Sequence, residues 1–299
     1  MNLKTFISKV YIRLHLYGLF NFLPASLDIR LLYLAHMGKL LDLTSPKTFN
    51  EKLNWLKLCD RNPLYTTLVD KCAVKQWVVD KIGEQYVIPT LGVWNKFDDI
   101  DFDKLPNQFV LKCTHDSGGL VICKDKTTFD KGYARKKINT SLKRNFYYAF
   151  REWPYKNISP RIIAEKYMED KCDGELRDYK FYTFNGDPKF LLIVSNRHNP
   201  EEKGFDYFDM DGKHQNLQDV DVHNSPIGIP HLPINFEKMK EICNVLAKDI
   251  PHVRIDFFEV NEQIYFGEMT FYDAGGFMKA TPKSWELEWG NLIKLPNKI

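Results

Sequence analysis

The sequence predicts an α+β fold in which hairpin-connected sheets carry helices on their faces. Three observations lead there. The first third of the chain repeats its apolar residues at helical period. From Phe109 onward the texture changes to short strand-like runs: "FVLKC", "LVICKD", "RIIAEKYM", "DYKFYTF", "KFLLIVS", "VRIDFFEV" and "IYFGEMTF". Turn signals join consecutive runs, at Asn185-Gly186-Asp187-Pro188 and at Asn261-Glu262-Gln263, which is hairpin connectivity rather than a chain of βαβ units.

Taken in order, Phe6, Ile7, Val10, Tyr11, Leu14 and Tyr17 recur at helical spacing beside Lys4, Lys9 and Arg13, predicting a basic amphipathic terminal helix. Lys9, Arg13 and His15 interrupt the unbroken apolar stretch that a signal peptide needs. A helix of this kind docks on its own domain, the commoner outcome, or rests on an anionic membrane, here as a peripheral contact at the inner face. Residues 31–41, 45–58 and 64–83 continue the helical period, the last closing on Gly83. "YVIPTLGVWN" begins extended structure, and residues 131–150 and 236–249 return to helix. Residues 219–233, rich in turn formers, read as a surface loop.

With 299 residues and 44% hydrophobic content the chain can bury a substantial core, as one large domain or two modest ones. A net charge of +3, with basic and acidic residues interleaved, argues against nucleic acid as a partner. Six cysteines without a CxxC pair argue against a zinc ribbon or a disulfide framework and predict free thiols in a reducing cytoplasm. No run reaches the ~18 apolar residues of a transmembrane span.

Three stretches carry chemistry. In "FVLKCTHDSGGLVICKD" a small-residue loop separates two strands, so backbone N–H groups can converge on an anion with no Cβ in the way. Lys112 precedes that loop on a strand and can meet a phosphate as a point charge; a plain hairpin with an exposed lysine is the alternative. No Gly-Lys-Ser/Thr follows, and a strand rather than a helix comes next, so neither a P-loop nor a dinucleotide fingerprint fits. His115-Asp116-Ser117 spells a hydrolytic triad, but consecutive residues rarely aim three side chains at one atom. In "VRIDFFEVNEQIYFGEMTF" Arg254 and Asp256 share one face, as do Glu268 and Thr270, and antiparallel pairing about Asn261 brings the two carboxylates near one another. On an apolar hairpin such a pair is costly unless a cation joins it, and magnesium takes one or two carboxylates with phosphates completing its shell. A solvated surface ion pair is the alternative. In "RIIAEKYMED" a strand runs into an acidic segment, where backbone can meet an adenine edge and Glu169 a ribose.

The order of these stretches resembles the ATP-grasp superfamily, and more narrowly the TupA-like ATP-grasp proteins associated with bacterial surface polysaccharides. "SPKTFNEKLNWLKLCDRNPLYTTLVDKCAVKQWV", "FVLKCTHDSGG", "PRIIAEKYMED", "DYKFYTFNGDPKF" and "IYFGEMTFYDAGGF" are similar to that family's blocks, from about Leu40 almost to the C-terminus. The resemblance implies two α+β subdomains, about 106–168 and 169–299, holding ATP between their sheets within a core of residues 71–299, after a helical region 1–70. It implies Lys112 at the α-phosphate, Ser117, Gly118 and Gly119 closing over the β- and γ-phosphates, and Lys71 as a further phosphate contact. Glu165, Tyr167 and Met168 would form the adenine hinge and Glu169 would take the ribose. Lys180 would face the phosphates, Arg254 would steady the transferring phosphoryl group, and Asp256 and Glu268 would hold Mg2+. Thr270 stands where most ATP-grasp enzymes have a metal-binding asparagine, so a second metal is less secure than the first.

The activity so implied is an ATP-dependent carboxylate–amine ligase that amidates a uronic acid of a surface polysaccharide or its precursor. Arg197, His198 and the turn at residues 272–278 are candidates for the carboxylate and sugar pocket. Three rivals stay open: a glycosyltransferase using Asp101-Phe102-Asp103, Asp209-Met210-Asp211 or Asp219-Val220-Asp221; a sugar kinase on the same scaffold; and a non-catalytic nucleotide-binding module.

Overall fold

The computed structural model describes residues 3–170, 175–197, 199–220 and 222–297. Five helices lead: α1 (Leu3–Leu16), α2 (Ala25–Met37), α3 (Phe49–Cys59), α4 (Leu64–Val69) and α5 (Ala73–Ile82). The next part comprises β1 (Thr90–Trp94), β2 (Phe109–Cys113), β3 (Leu120–Cys123), α6 (Lys131–Leu142), α7 (Tyr147–Phe150) and β4 (Ile162–Lys166). Then come β5 (Asp178–Phe184), β6 (Asp187–Ser195), β7 (Gly204–Asp209), β8 (His214–Gln215), β9 (Gln218–Asp219) and α8 (Phe236–Leu246). The chain closes with β10 (His252–Val260), β11 (Gln263–Thr270), β12 (Ala280–Thr281) and α9 (Trp285–Leu292). Two antiparallel sheets dominate, one ordered β1-β4-β2-β3 and the other β11-β10-β5-β6-β7-β8. The α+β expectation therefore holds. No helix among the described residues is long and apolar enough to cross a membrane.

Two expected helices are each broken by a polar side chain that caps a new start. The helical period of residues 64–83 is interrupted at Asp70, whose Oδ1 accepts from the N–H groups of Cys72 (2.8 Å) and Ala73 (3.2 Å). That break turns Lys71 out of any helix and toward the glycine loop. Residues 131–150 divide likewise, where Asn145 Oδ1 accepts from Tyr147 N at 3.0 Å. Strand β7 had no clear alternating signal in the sequence; it forms because its backbone completes the ladder of β6.

The helical N-terminal segment shares its core with the large sheet. Phe49, Leu53, Trp55 and Leu56 of α3 and Leu68 of α4 belong to the same apolar cluster as Phe181, Ile255, Phe257 and Trp289. Trp289 stacks on Phe190 at 4.7 Å and packs edge-on against Phe49 and Phe184, so truncating it to alanine would cost roughly 3–5 kcal/mol. A capping box at Thr48 and Glu51 starts α3. Along one face of α3 stand Asn50, Asn54 and Lys57, all buried, and they bind the backbone of the turn at 272–278. Asn50 Nδ2 donates to Met278 O (2.8 Å), Asn54 Nδ2 to Gly276 O (2.8 Å), and Lys57 Nζ to Gly275 O. That turn is consequently a clamped structural element, and none of its residues lines the cleft described below.

The connection from β10 to β11 is a two-residue turn with Asn261 and Glu262 both at positive φ (49° and 64°), the mirror-image turn that matches strand twist. Asparagine takes this conformation readily, whereas glutamate takes it only at a cost of about 1–2 kcal/mol. Glu262→Gly is expected to stabilise the protein by about 1 kcal/mol, read as a higher urea midpoint; a lower midpoint would contradict it.

Candidate active site

The glycine loop closes on itself and is anchored on one side only. Cys113 N donates to Gly119 O (2.7 Å), while Lys71 donates its backbone N–H to Thr114 O (3.0 Å) and its Nζ to Asp116 O (2.7 Å). His115 and Asp116 are buried and face α6: His115 Nε2 lies 3.1 Å from Arg144 O, and the Ser141 hydroxyl donates to Asp116. Ser117 and Gly118 are exposed toward solvent, so the three letters of the triad part in space. Gly118 has φ +99°, and a Cβ on Gly119 would sit 2.3 Å from Ser141 Oγ, so both positions need glycine.

Glu165, on the central strand β4, lies buried between two ammonium groups. Lys112 Nζ is 2.6 Å from its Oε2 and Lys75 Nζ is 2.5 Å from its Oε1. Burial pushes the Glu165 carboxyl up, but the charges of Lys112 and Lys75 outweigh it and hold it below the ordinary carboxylate range. Its side chain orients two lysines, which the hinge expectation did not foresee. Lys75, on α5, was missed in the sequence, where nothing links it to Glu165 ninety residues on.

Glu165→Gln is expected to cost about 3 kcal/mol at pH 7, because two cations lose their partner. The folded-state value of Glu165 lies below the unfolded one, so its contribution is complete above the unfolded pKa of about 4.3 and fades as pH falls through the folded value. The stability gap between wild type and variant should therefore shrink as urea titrations are moved below about pH 4. A gap that stays constant down to pH 3 would refute the ion-pair account.

A bulge sets the carboxylate hairpin. Near the turn the pairs run Val260↔Gln263 to Phe257↔Phe266, after which the register slips by one residue to Asp256↔Glu268. Gly267 is the extra residue. Without the slip, with Gly267 paired in regular register, Glu268 would face across from Ile255 and point to the other side of the sheet. On its other flank Asp256 pairs with Lys180 of β5, so Glu268, Asp256 and Lys180 form one row across three strands.

Asp256 is buried and accepts three hydrogen bonds, Oδ1 from Arg254 Nε (2.7 Å), Oδ2 from Arg254 Nη2 (2.9 Å) and from Lys180 Nζ, which leaves an acceptor position on Oδ1. Burial raises its carboxyl, yet Arg254 and Lys180 together hold it below the usual range. Arg254 is further bound to Asp273 and to the Thr270 hydroxyl (3.2 Å). Glu268 differs sharply, with a side chain 42% exposed whose nearest cations, Arg254 and Lys71, stand 3.7 and 3.8 Å away. Lys71 thus reaches both the glycine loop and the acidic hairpin.

These pieces enclose one cleft of about 680 Å³ between the two sheets. Of the fourteen residues singled out in the sequence, twelve line it: Lys71, Lys112, Ser117, Gly118, Gly119, Glu165, Tyr167, Met168, Glu169, Lys180, Asp256 and Glu268. Arg254 and Thr270 stand behind the hairpin row rather than on the wall. Ile88, Met168, Leu176 and Phe258 pack together on the cleft wall and Val110 pairs with Ile122, which gives a base apolar surface beside lysines suited to phosphates. Arg197 also lines the cleft, ion-paired to Asp178 at 2.7 Å; burial raises the Asp178 carboxyl against the pull of Lys180 and Arg197. His198 lies outside the described residues.

None of the described residues of the DxD triplets lines the cleft. Asp101 caps a turn through Asp103 N (3.2 Å), and Asp209 caps the β7–β8 hairpin through the N–H groups of Asp211 (3.1 Å) and Lys213 (2.9 Å). Asp221 lies outside the described residues, as does Cys172; the other five cysteines are free thiols.

A nucleotide-sized cleft gripped between two antiparallel sheets, with a lysine and glycine loop on one wall and a carboxylate hairpin on the other, is the arrangement of an ATP-grasp protein. The model of the TupA-like ATP-grasp family matches residues 51–294, and the chain belongs to that family. Among solved structures it is similar to D-alanine–D-alanine ligase from Helicobacter pylori, at 15% identity over 84% of this chain and 70% of that one, TM-score 0.46. The same enzyme from Bacillus anthracis, complexed with ATP, is similar at 14% identity over 74% of this chain and 55% of that one, TM-score 0.39. An L-amino acid ligase from Bacillus licheniformis is similar at 12% identity over 76% and 49% of the two chains, TM-score 0.45. The chain thus spans little more than half the length of the Bacillus anthracis enzyme. No curated protein matches it.

Proposed function

We propose that this chain is an ATP-dependent carboxylate–amine ligase, joining a uronic-acid carboxylate of a bacterial surface polysaccharide or its precursor to an amino acid or other amine in the cytoplasm. The observation that carries the reading is the convergence, on the wall of a single cleft, of twelve residues from distant parts of the chain, lysines and carboxylates beside apolar side chains. ATP would enter as a substrate, its base against Met168 and the backbone of Tyr167, its ribose near Glu169 and its phosphates among Lys112, Lys71 and Lys180. Ser117 and Gly118, exposed on a loop held at its base, are free to close over the terminal phosphates and keep water out.

The residues at the carboxylate hairpin fit a hard divalent cation. Glu268 offers carboxylate oxygens beside its partner Asp256, and no cluster of three or more His, Cys, Asp or Glu side chains able to hold a metal exists among the described residues, so phosphate oxygens would have to complete the shell. Asp256 and Glu268 would hold Mg2+, with Thr270 committed to Arg254 behind them. Bound there, magnesium would neutralise phosphate charge as phosphoryl transfer proceeds. The acceptor carboxylate would take the γ-phosphoryl group as an acyl phosphate, the amine would attack its carbonyl carbon, and phosphate would leave. Arg254, pinned by Asp256 and Asp273, presents a fixed positive charge behind the reacting groups and favours the oxyanion that develops. Lys180, in the row with Asp256, orients the phosphoryl oxygens.

The test is incubation with ATP, magnesium, UDP-glucuronate or UDP-galacturonate and a panel of amines, followed by mass spectrometry. ADP, phosphate and amide in equal amounts are expected. A stable phosphate ester without free phosphate would make the protein a kinase, and UDP release without ADP a glycosyltransferase. Tight MgATP binding with no turnover across the panel would leave a nucleotide-binding module.

A further inference from the structure

The N-terminal hairpin of helices has two faces, and only one is used. Inward, Tyr11 Oη donates to Asp28 Oδ1 (3.0 Å), His15 Nε2 lies 2.9 Å from Asp28 Oδ2, and Arg151 Nε donates to the same oxygen at 2.5 Å. This buried group, with Arg151 Nη2 also donating to Phe20 O (3.0 Å), fastens α1 and the following turn to the body of the protein. Opposite His15 on the helix, Phe6 and Val10 stand with 51% and 39% of their surface exposed, continued in the following turn by Tyr17 at 72%, Leu19 at 56% and Phe22 at 80%. An anchored helix does not leave a row of large apolar side chains in water without cost, so a partner must cover it.

Charge says which partner. Lys9 and Arg13 are exposed beside the stripe. The only acidic residue in the first 40 is Asp28, which is fully buried and already paired with Arg151. The face is thus apolar and basic with no exposed acid, complementary to an anionic lipid surface. A second copy of this chain would set Lys9 and Arg13 against their own like charges, which disfavours a dimer through this face. We infer that α1 and the turn after it form a monotopic membrane-docking surface, seating Phe6, Val10, Tyr17, Leu19 and Phe22 among acyl chains while Lys9 and Arg13 meet anionic headgroups. None of these residues lines the cleft, so the inference stands apart from the ligase chemistry.

Co-sedimentation of the whole chain with phosphatidylcholine vesicles, with and without phosphatidylglycerol, tests it. Binding is expected only when phosphatidylglycerol is present and should fall with added salt. Phe6→Ser combined with Phe22→Ser, and separately Lys9→Glu combined with Arg13→Glu, should each lower it at least about tenfold with the melting temperature unchanged. Failure of the wild-type chain to bind phosphatidylglycerol vesicles would overturn the inference whatever the variants do. Binding untouched by either double substitution would also overturn it, as would a concentration-dependent dimer, seen by sedimentation without lipid, that the Phe6 and Phe22 changes dissociate.

Discussion

Glu268→Gln is expected to remove turnover while leaving the fold intact. Its carboxylate is directly opposite Asp256 on the neighbouring strand yet 42% exposed, with both nearby cations beyond hydrogen-bond distance. Neutralising it therefore strips a charge from the cleft without leaving any buried group unpaired. The stability change should stay within about 0.5 kcal/mol, as for other exposed positions. Activity should fall by roughly 10²–10³-fold or more, because under the proposed function the charge that would hold the metal and phosphates has no substitute. ADP release and urea unfolding measured on the same preparation decide the matter; near-normal turnover would contradict the assigned metal role.

Asp256→Asn should behave differently although the two residues are cross-strand partners. Asp256 accepts from both nitrogens of Arg254 that face it and from Lys180, all in a buried setting. A carboxamide can accept at only one of its two atoms and brings no charge, so Arg254 and Lys180 keep their desolvation cost without its return. A loss of about 3 kcal/mol is expected together with loss of activity. Arg254 retains Asp273, which keeps the penalty from being larger. Equal stabilities for the Asp256 and Glu268 variants would mean that the buried and exposed ends of this row are not energetically distinct.

The contrast between these carboxylates shows where local reading stops. Alternation along β10 and β11 and the Asn261 turn were enough to expect a hairpin with acids on it. Counting back from a two-residue turn, however, puts Glu268 opposite Ile255. Only the slip at Gly267 returns it to Asp256, and a bulge has no reliable signature beyond an isolated glycine. Likewise the helical period of residues 64–83 was legible, while the capping bonds of Asp70 that split it were not. The family resemblance implied Glu165 at the adenine hinge. Its two lysine partners come from α5 and β2, remote in the chain.

The sequence by itself determined the α+β class, the strands that carry the chemistry, the glycine loop, and the residue types that make a phosphate-binding cleft with a carboxylate pair. These depend on period, turn chemistry and charge, which act between near neighbours. The tertiary structure decided which charges neutralise one another, which face of the hairpin Glu268 occupies, and that α1 is docked on one side while bare on the other. Those outcomes depend on burial and on partners distant along the chain, and the energy of a buried charge is fixed by what is packed against it rather than by its sequence neighbours.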